Sequence, residues 1–268
     1  MSGSAVYAAV TRGWSPDLAR LFPEERFRFV EETGSTNDDL LRLLRDGPVE
    51  HLTTIQTDHQ LNGRGRRGDK WEAPAGTNLL FSIALRLPED KTIWTRLPHL
   101  TAYIVGKAVE SILPGEANLR AKWPNDLIVN GKKLGGILVE TFMTPDPFAV
   151  VGVGLNVNMR TSELPEDLQE IATSIYESLG CESSRSFLMG LIIQGFIQDF
   201  PSQLDEFEKV LSWLERRSFL MGKTIRVSAA DGSLVGKGHG LGPGGELLLE
   251  MESGELQTII SAEKIEIC

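Results

Sequence analysis

The sequence predicts an α+β protein: a mixed or antiparallel sheet flanked by helices, followed by a small all-β module on the scale of an SH3-like barrel. Three observations carry this. Strand-length apolar runs are interleaved with helical segments between residues 26 and 217. Asn130-Gly131, inside "LIVNGKKLGGILVE" (127–140), is a strong two-residue hairpin signal, which favours antiparallel neighbours over a doubly wound sheet. From about residue 220 the chain turns glycine-rich and alternating, with little helical period. A boundary at 219/220 divides it into an N-terminal extension (1–25), a large domain (26–219) and a C-terminal β domain (220–268).

Each element has its own signal. "RFRFVEE" (26–32) alternates apolar and charged residues and reads as a strand. In "STNDDLLRLLRDG" (35–47), Ser35 or Thr36 caps a helix and Asp38 and Asp39 occupy its favourable first turn. Leu40, Leu41, Leu43 and Leu44 form its apolar face, and Gly47-Pro48 ends it. "LTTIQT" (52–57) is a strand, and "NLLFSIALRL" (78–87) is apolar enough for a central one. "LTAYIVGKAVESIL" (100–113) has helical spacing and stops at Pro114-Gly115. "LRAKW" (119–123), the hairpin and "FAVVGVGLNVN" (148–158) supply further strands, and 185–217 reads as helical.

Bulk properties narrow the function. The 268 residues carry a formal net charge of −10, which opposes broad binding to nucleic acid or anionic membranes. Cys181 and Cys268 form no metal-ligand or CxxC pattern, and no apolar run is long enough to span a bilayer, so a reducing cytoplasm is expected.

Within this acidic chain, "GRGRRG" (63–68) fits the spacing G-x-G-x-x-G. A dinucleotide turn would have to open a helix. The next segment, "DKWEAPAGTN" (69–78), contains Pro74 and Gly76 and has no apolar period, so that reading fails. The P-loop pattern is absent as well. Glycine amides and arginine forks suit an anion with several oxygens, held by a loop that orders around it. Alone, the motif reads equally well as a solvated basic turn.

A second constellation, "KWPNDLIVNGKKLGGILVE" (122–140), places Lys122 at a strand end before a Trp-Pro corner. Lys122 either holds charge over an anionic site or snorkels at the surface. Gly135, Gly136, Gly152 and Gly154 permit close approach of a ligand or another backbone.

Taken in order, "STN" (35–37), "QLNGRGRRGDKW" (60–71), "KWPNDL" (122–127), "KLGGILVE" (133–140) and "GVGLNVN" (152–158) resemble the motifs of biotin protein ligases. The resemblance implies a catalytic domain like that of class II aminoacyl-tRNA synthetases, with biotin, ATP and Mg²⁺ as reactants. It implies biotinyl-5′-AMP as intermediate and a lysine of a biotin carboxyl carrier domain as acceptor. With about twenty-five residues before the first strand, it implies a monofunctional ligase without the DNA-binding domain some members carry, and it leaves a homodimer open. Carried over residue by residue, it implies biotin contacts from Ser35, Thr36, Asn37, Gln60, Arg64, Gly65, Arg66 and Lys122. Of these, Lys122, Arg64 and Arg66 would be catalytic. Trp71 and Asn156 would lie near the adenylate, and the metal ligands are unassigned. The rival readings are a lipoate-protein ligase and, more distantly, a nucleic-acid binder using the basic loop.

Overall fold

The computed structural model describes residues 3–12, 14, 16–143, 145–229 and 232–268. Its strands are β1 (Phe27–Thr33), β2 (Thr54–Gln60), β3 (Leu79–Arg86), β4 (Leu119–Lys122), β5 (Asp126–Val129), β6 (Lys132–Phe142), β7 (Phe148–Leu155), β8 (Thr224–Ala229), β9 (Gly232–Leu241), β10 (Leu247–Glu250), β11 (Leu256–Ile259) and β12 (Lys264–Ile267). The helices are α1 (Gly3–Val10), α2 (Pro16–Leu21), α3 (Thr36–Asp46), α4 (Leu97–Glu110), α5 (Glu166–Gln169), α6 (Ile175–Leu179), α7 (Arg185–Asp199), α8 (Ser202–Asp205) and α9 (Glu208–Arg216).

A seven-stranded sheet runs in the order β1-β2-β3-β7-β6-β5-β4. Only β1 and β2 pair in parallel, with α3 as the crossover between them; the other ladders are antiparallel. The hairpin signal is met: Asn130 and Gly131 both take positive φ, 50° and 83°, between β5 and β6, as a primed turn demands.

The two faces of the sheet are buried differently. Phe81, Ile83, Val151 and Val153 point into the main core with α4, α7 and α9. On the other face, Leu40, Leu41 and Leu44 of α3 cover Ile55, Ala84, Phe148 and Val150. The leucine face of this helix is legible from its spacing.

Two expectations change. The helical stretch 185–217 is three helices: α7 ends at Asp199 and Pro201, which lacks an amide hydrogen, interrupts the ladder. The extension is integral to the core. Phe22 and Leu18 are buried in it, the Tyr7 hydroxyl donates to the Phe22 carbonyl, and Trp14 Nε1 donates to Ser186 O at 2.8 Å. Its helices are too short for their period to be read.

After residue 220 lies a separate antiparallel sheet in the order β11-β10-β9-β8-β12. Its end strands β11 and β12 do not pair with each other, so it is open rather than the closed small barrel expected from the alternation. Trp123, after β4, sits in the apolar cluster of this sheet and donates from Nε1 to Gly245 O at 2.8 Å. No helix among the described residues is long and apolar enough to cross a membrane.

His99 of α4 is buried beside Gly245, in the turn joining β9 to β10. Burial lowers its pKa from 6.5 to about 4, against the opposing pull of Glu246 and a hydrogen bond with Gly245. A histidine with its folded pKa below the unfolded one gives full stability above the unfolded value. That stability is lost as pH falls toward the folded value, by about 3 kcal/mol in all. Denaturant titrations at about pH 7 and about pH 4.5 should therefore show a smaller acid loss in His99→Gln than in wild type. Equal losses would assign the acid sensitivity elsewhere.

Candidate active site

The cavity forms where α3 begins and the sheet beneath it runs out of side chains. Residues opposed across a ladder share a face. Ser82, Gly152 and Leu138 make one such row; the next runs through Leu80, Gly154, Gly136, Asp126 and Lys122. These rows continue the face that Phe148, Val150 and Ala84 fill under α3. At Gly152, Gly154 and Gly136 the filling stops, and a cavity of about 480 Å³ opens over the sheet, a size typical of small-molecule sites.

Close approach explains the glycines. A Cβ at Gly152 would fall on Asn37 Oδ1, and one at Gly154 would lie 2.5 Å from the Trp71 ring. The indole lies over Gly154 and Gly136, with its N–H buried and unpartnered among the described residues.

One end of the cavity is neutral and polar. Ser82 Oγ donates to Asn37 Oδ1 at 2.5 Å and is 2.7 Å from Thr36 Oγ1; Gln60 Oε1 accepts from Thr36 N at 2.9 Å. Ser35 is the N-cap of α3, yet its hydroxyl caps nothing. Ser35 Oγ and the Gln60 amide nitrogen thus remain unused by the described residues, and both residues line the cavity.

The other end is cationic. Arg66, Arg67, Lys70, Lys122, Lys133 and Lys264 line the cavity there against the carboxylates of Asp69, Asp126 and Glu263, a local excess of positive charge in a chain of net −10. Among the described residues, Arg66 and Lys122 have no carboxylate within ion-pair distance. Arg66 is half-buried, with Nη1 3.5 Å from Asn125 Oδ1. Burial, then the neighbouring Arg67, lowers its pKa, so an anion placed there would relieve an exposed cost.

The glycine loop does not open a helix. It folds back on itself: Trp71 N donates to Gly63 O at 2.9 Å and Gly65 N to Asp69 O at 2.6 Å. Arg67 takes a left-handed φ of 56° and reaches Glu263 Oε1 at 3.0 Å, joining the loop to the second sheet. Gly65 spends its amide on the loop itself; toward the cavity it offers only the lack of a side chain.

All eight residues expected to contact biotin line this cavity, as does Trp71. Asn156 does not. It is buried behind the wall, donating to Thr173 O at 3.0 Å and accepting from Asn78 Nδ2 at 3.3 Å, where it fixes the chain just after β7 to the segment before α6.

The cavity also depends on residues that the sequence does not single out: Lys133 lines it, while Ser82 and Glu140 hold the lining residues Asn37 and Arg64. Lys133, at the start of β6, extends over the Trp71 ring and pairs with Asp126 at 2.8 Å. It is hidden in "NGKK", where a hairpin tip makes lysine look solvated. Ser82 is masked by the apolar run around it, and Glu140 by an ordinary strand alternation.

Comparisons with known proteins agree with this geometry. Residues 29–158 match the biotin/lipoate A/B protein ligase family. The chain is 30% identical over 238 residues to a biotin–[acetyl-CoA-carboxylase] ligase of Mycobacterium tuberculosis, covering 87% of this chain and 85% of that one. It is 31% identical over 216 residues to the bifunctional ligase/repressor BirA of Bacillus subtilis, covering 79% of this chain but only 65% of that relative. A solved biotin protein ligase from Aquifex aeolicus in complex with biotin and ATP superposes with a TM-score of 0.79 at 28% identity, covering 90% of this chain and 99% of that one.

Proposed function

Because the chain belongs to the biotin/lipoate A/B protein ligase family, we propose that it is an ATP-dependent biotin protein ligase. It activates biotin as biotinyl-5′-AMP and passes the biotinyl group to one lysine of a biotin carboxyl carrier domain. Residues 26–219 would form the catalytic unit and 220–268 an appended β unit. The observation that carries this reading is the division of one cavity into a neutral polar end and a cationic end, across a floor of glycines.

Biotin is built the same way. Its ureido ring needs donors and acceptors without charge, which Ser35, Asn37 and Gln60 supply. Its carboxylate would extend along the glycine floor, past Trp71, to the cations. There the carboxylate oxygen attacks the α-phosphorus of ATP; the bond to the bridging oxygen breaks, and pyrophosphate leaves with the electron pair. Both reactants are anions, so catalysis is positioning and charge neutralisation. Arg66, Lys122 and Lys133 would hold the converging oxygens. Mg²⁺ would neutralise the phosphate charge that these cations leave. In the second step the neutral amine of the carrier lysine attacks the acyl carbon. An amide forms, AMP leaves with the electron pair, and the nitrogen loses a proton.

Lipoate would use the same chemistry, but its dithiolane ring has nothing to pair with Ser35 or Gln60. Unpaired polar groups are where such sites discriminate most strongly. Exchange of labelled pyrophosphate into ATP should therefore depend on biotin and be absent with lipoate. Exchange supported equally by lipoate would replace the biotin assignment.

A further inference from the structure

The three arginines of the glycine loop are not equivalent. Arg66 has no carboxylate at ion-pair distance among the described residues. Arg64 has two: its Nη2 donates to Asp38 Oδ1 at 2.7 Å and to Glu140 Oε2 at 2.7 Å. The hydrogen bonds and charges of these carboxylates outweigh its burial and raise its pKa. A guanidinium held between two carboxylates brings little net charge to a phosphate.

The same oxygen, Glu140 Oε2, also accepts from Asn37 Nδ2 at 2.7 Å. Glu140 lies opposite Val150 on the face of the sheet that carries the glycine floor, one strand repeat beyond Leu138. Three elements thus meet at one carboxylate: the glycine loop through Arg64, the start of α3 through Asn37, and β6. Asp38, the residue after Asn37, closes the arrangement from the helix side. Asn37 is further fixed by Ser82, so the position of Glu140 governs both the polar wall and the loop that covers it.

We infer that Glu140 is a positioning residue for the biotin end of the cavity, and that Arg64 is the loop's anchor to it rather than a charge acting on the reacting atoms. The inference rests on the proposed ligase function and reassigns the work within it. The cations facing the phosphoryl group are Arg66, Lys122 and Lys133. Arg64, through Glu140 and Asp38, keeps the loop seated while the mixed anhydride waits for its acceptor.

Steady-state pyrophosphate release and the escape of biotinyl-AMP from the full-length protein test this in Glu140→Ala, Glu140→Gln, Arg64→Ala and the Arg64→Ala/Glu140→Ala double variant. The scale for a displaced positioning group is about tenfold or more. Glu140→Ala should raise KM for biotin by about that factor and lower kcat at saturating biotin by much less. Glu140→Gln keeps an acceptor oxygen in the same place and should fall between wild type and alanine, which also keeps the test open if the alanine variant folds poorly. Arg64→Ala should speed adenylate escape about tenfold, and the double variant should be no leakier than the worse single one, because the two act through one contact. A loss of about two orders in kcat for Arg64→Ala with biotin KM unchanged would place Arg64 on the reacting atoms and overturn the inference. So would an unchanged biotin KM in Glu140→Ala. Wild-type protein that releases no pyrophosphate with biotin would instead refute the ligase reading itself.

Discussion

Alanine in place of Lys122 or of Lys133 is expected to slow pyrophosphate release from biotin and MgATP by about two orders of magnitude, the scale of losing one preorganised charge donor. The two lysines reach the cavity by different routes. Lys122 ends β4 in register with Asp126 and Gly136, so the pairing that closes the sheet edge turns it toward the glycine floor. It has no carboxylate partner among the described residues, and its charge is available to phosphate. Lys133 is tied to Asp126 at 2.8 Å. Removing it takes away a cation and also leaves a carboxylate beside the incoming polyphosphate. Lys133→Ala should therefore be the slower of the two, and Lys133→Ala/Asp126→Asn should recover part of the loss. Stopped-time assays of pyrophosphate, on variants whose thermal unfolding matches wild type, give the comparison. A near-wild-type rate in either single variant would remove that lysine from the mechanism.

A methyl group on the cavity floor should be nearly as damaging. Gly152→Ala would push against Asn37 Oδ1, whose amide is fixed by Ser82 at Oδ1 and by Glu140 at Nδ2, and Gly154→Ala against the rigid Trp71 indole. Each should weaken biotin binding, measured by calorimetry, by about two orders, because displacements near 1 Å in a preorganised site cost on that scale. Gly240→Ala is the control: its Cβ would meet only Leu248 Cδ1 at 3.9 Å, an ordinary contact in the second sheet. If Gly152→Ala and Gly154→Ala bind biotin as tightly as that control, the floor is not where biotin lies.

The strands and long helices are legible because their periods are strong: the leucines of α3, the alternation in β1, the turn at Asn130-Gly131. The less legible features depend on register. Gly152 and Gly154 can be singled out by composition, but only the alignment of β6 and β7 joins them to Gly136 as one floor. Lys133 looks solvated until the hairpin is folded, and the long-range pairings of Glu140 with Asn37 and Arg64 leave no local trace. Asn156, which the resemblance implies near the adenylate, lies outside the cavity lining, and its amide serves Thr173 and Asn78. The loop motif itself misleads by spacing alone. Its glycines serve a turn that folds back from Gly63 to Trp71, not the opening of a helix.

The most direct test is the mass of a purified biotin carboxyl carrier domain after incubation with this protein, biotin and MgATP. The account predicts one added biotinyl group on one lysine, absent when biotin or ATP is withheld and strongly reduced with Lys122→Ala. An unmodified carrier under the complete conditions, or one that gains lipoyl as readily as biotinyl groups, would contradict it.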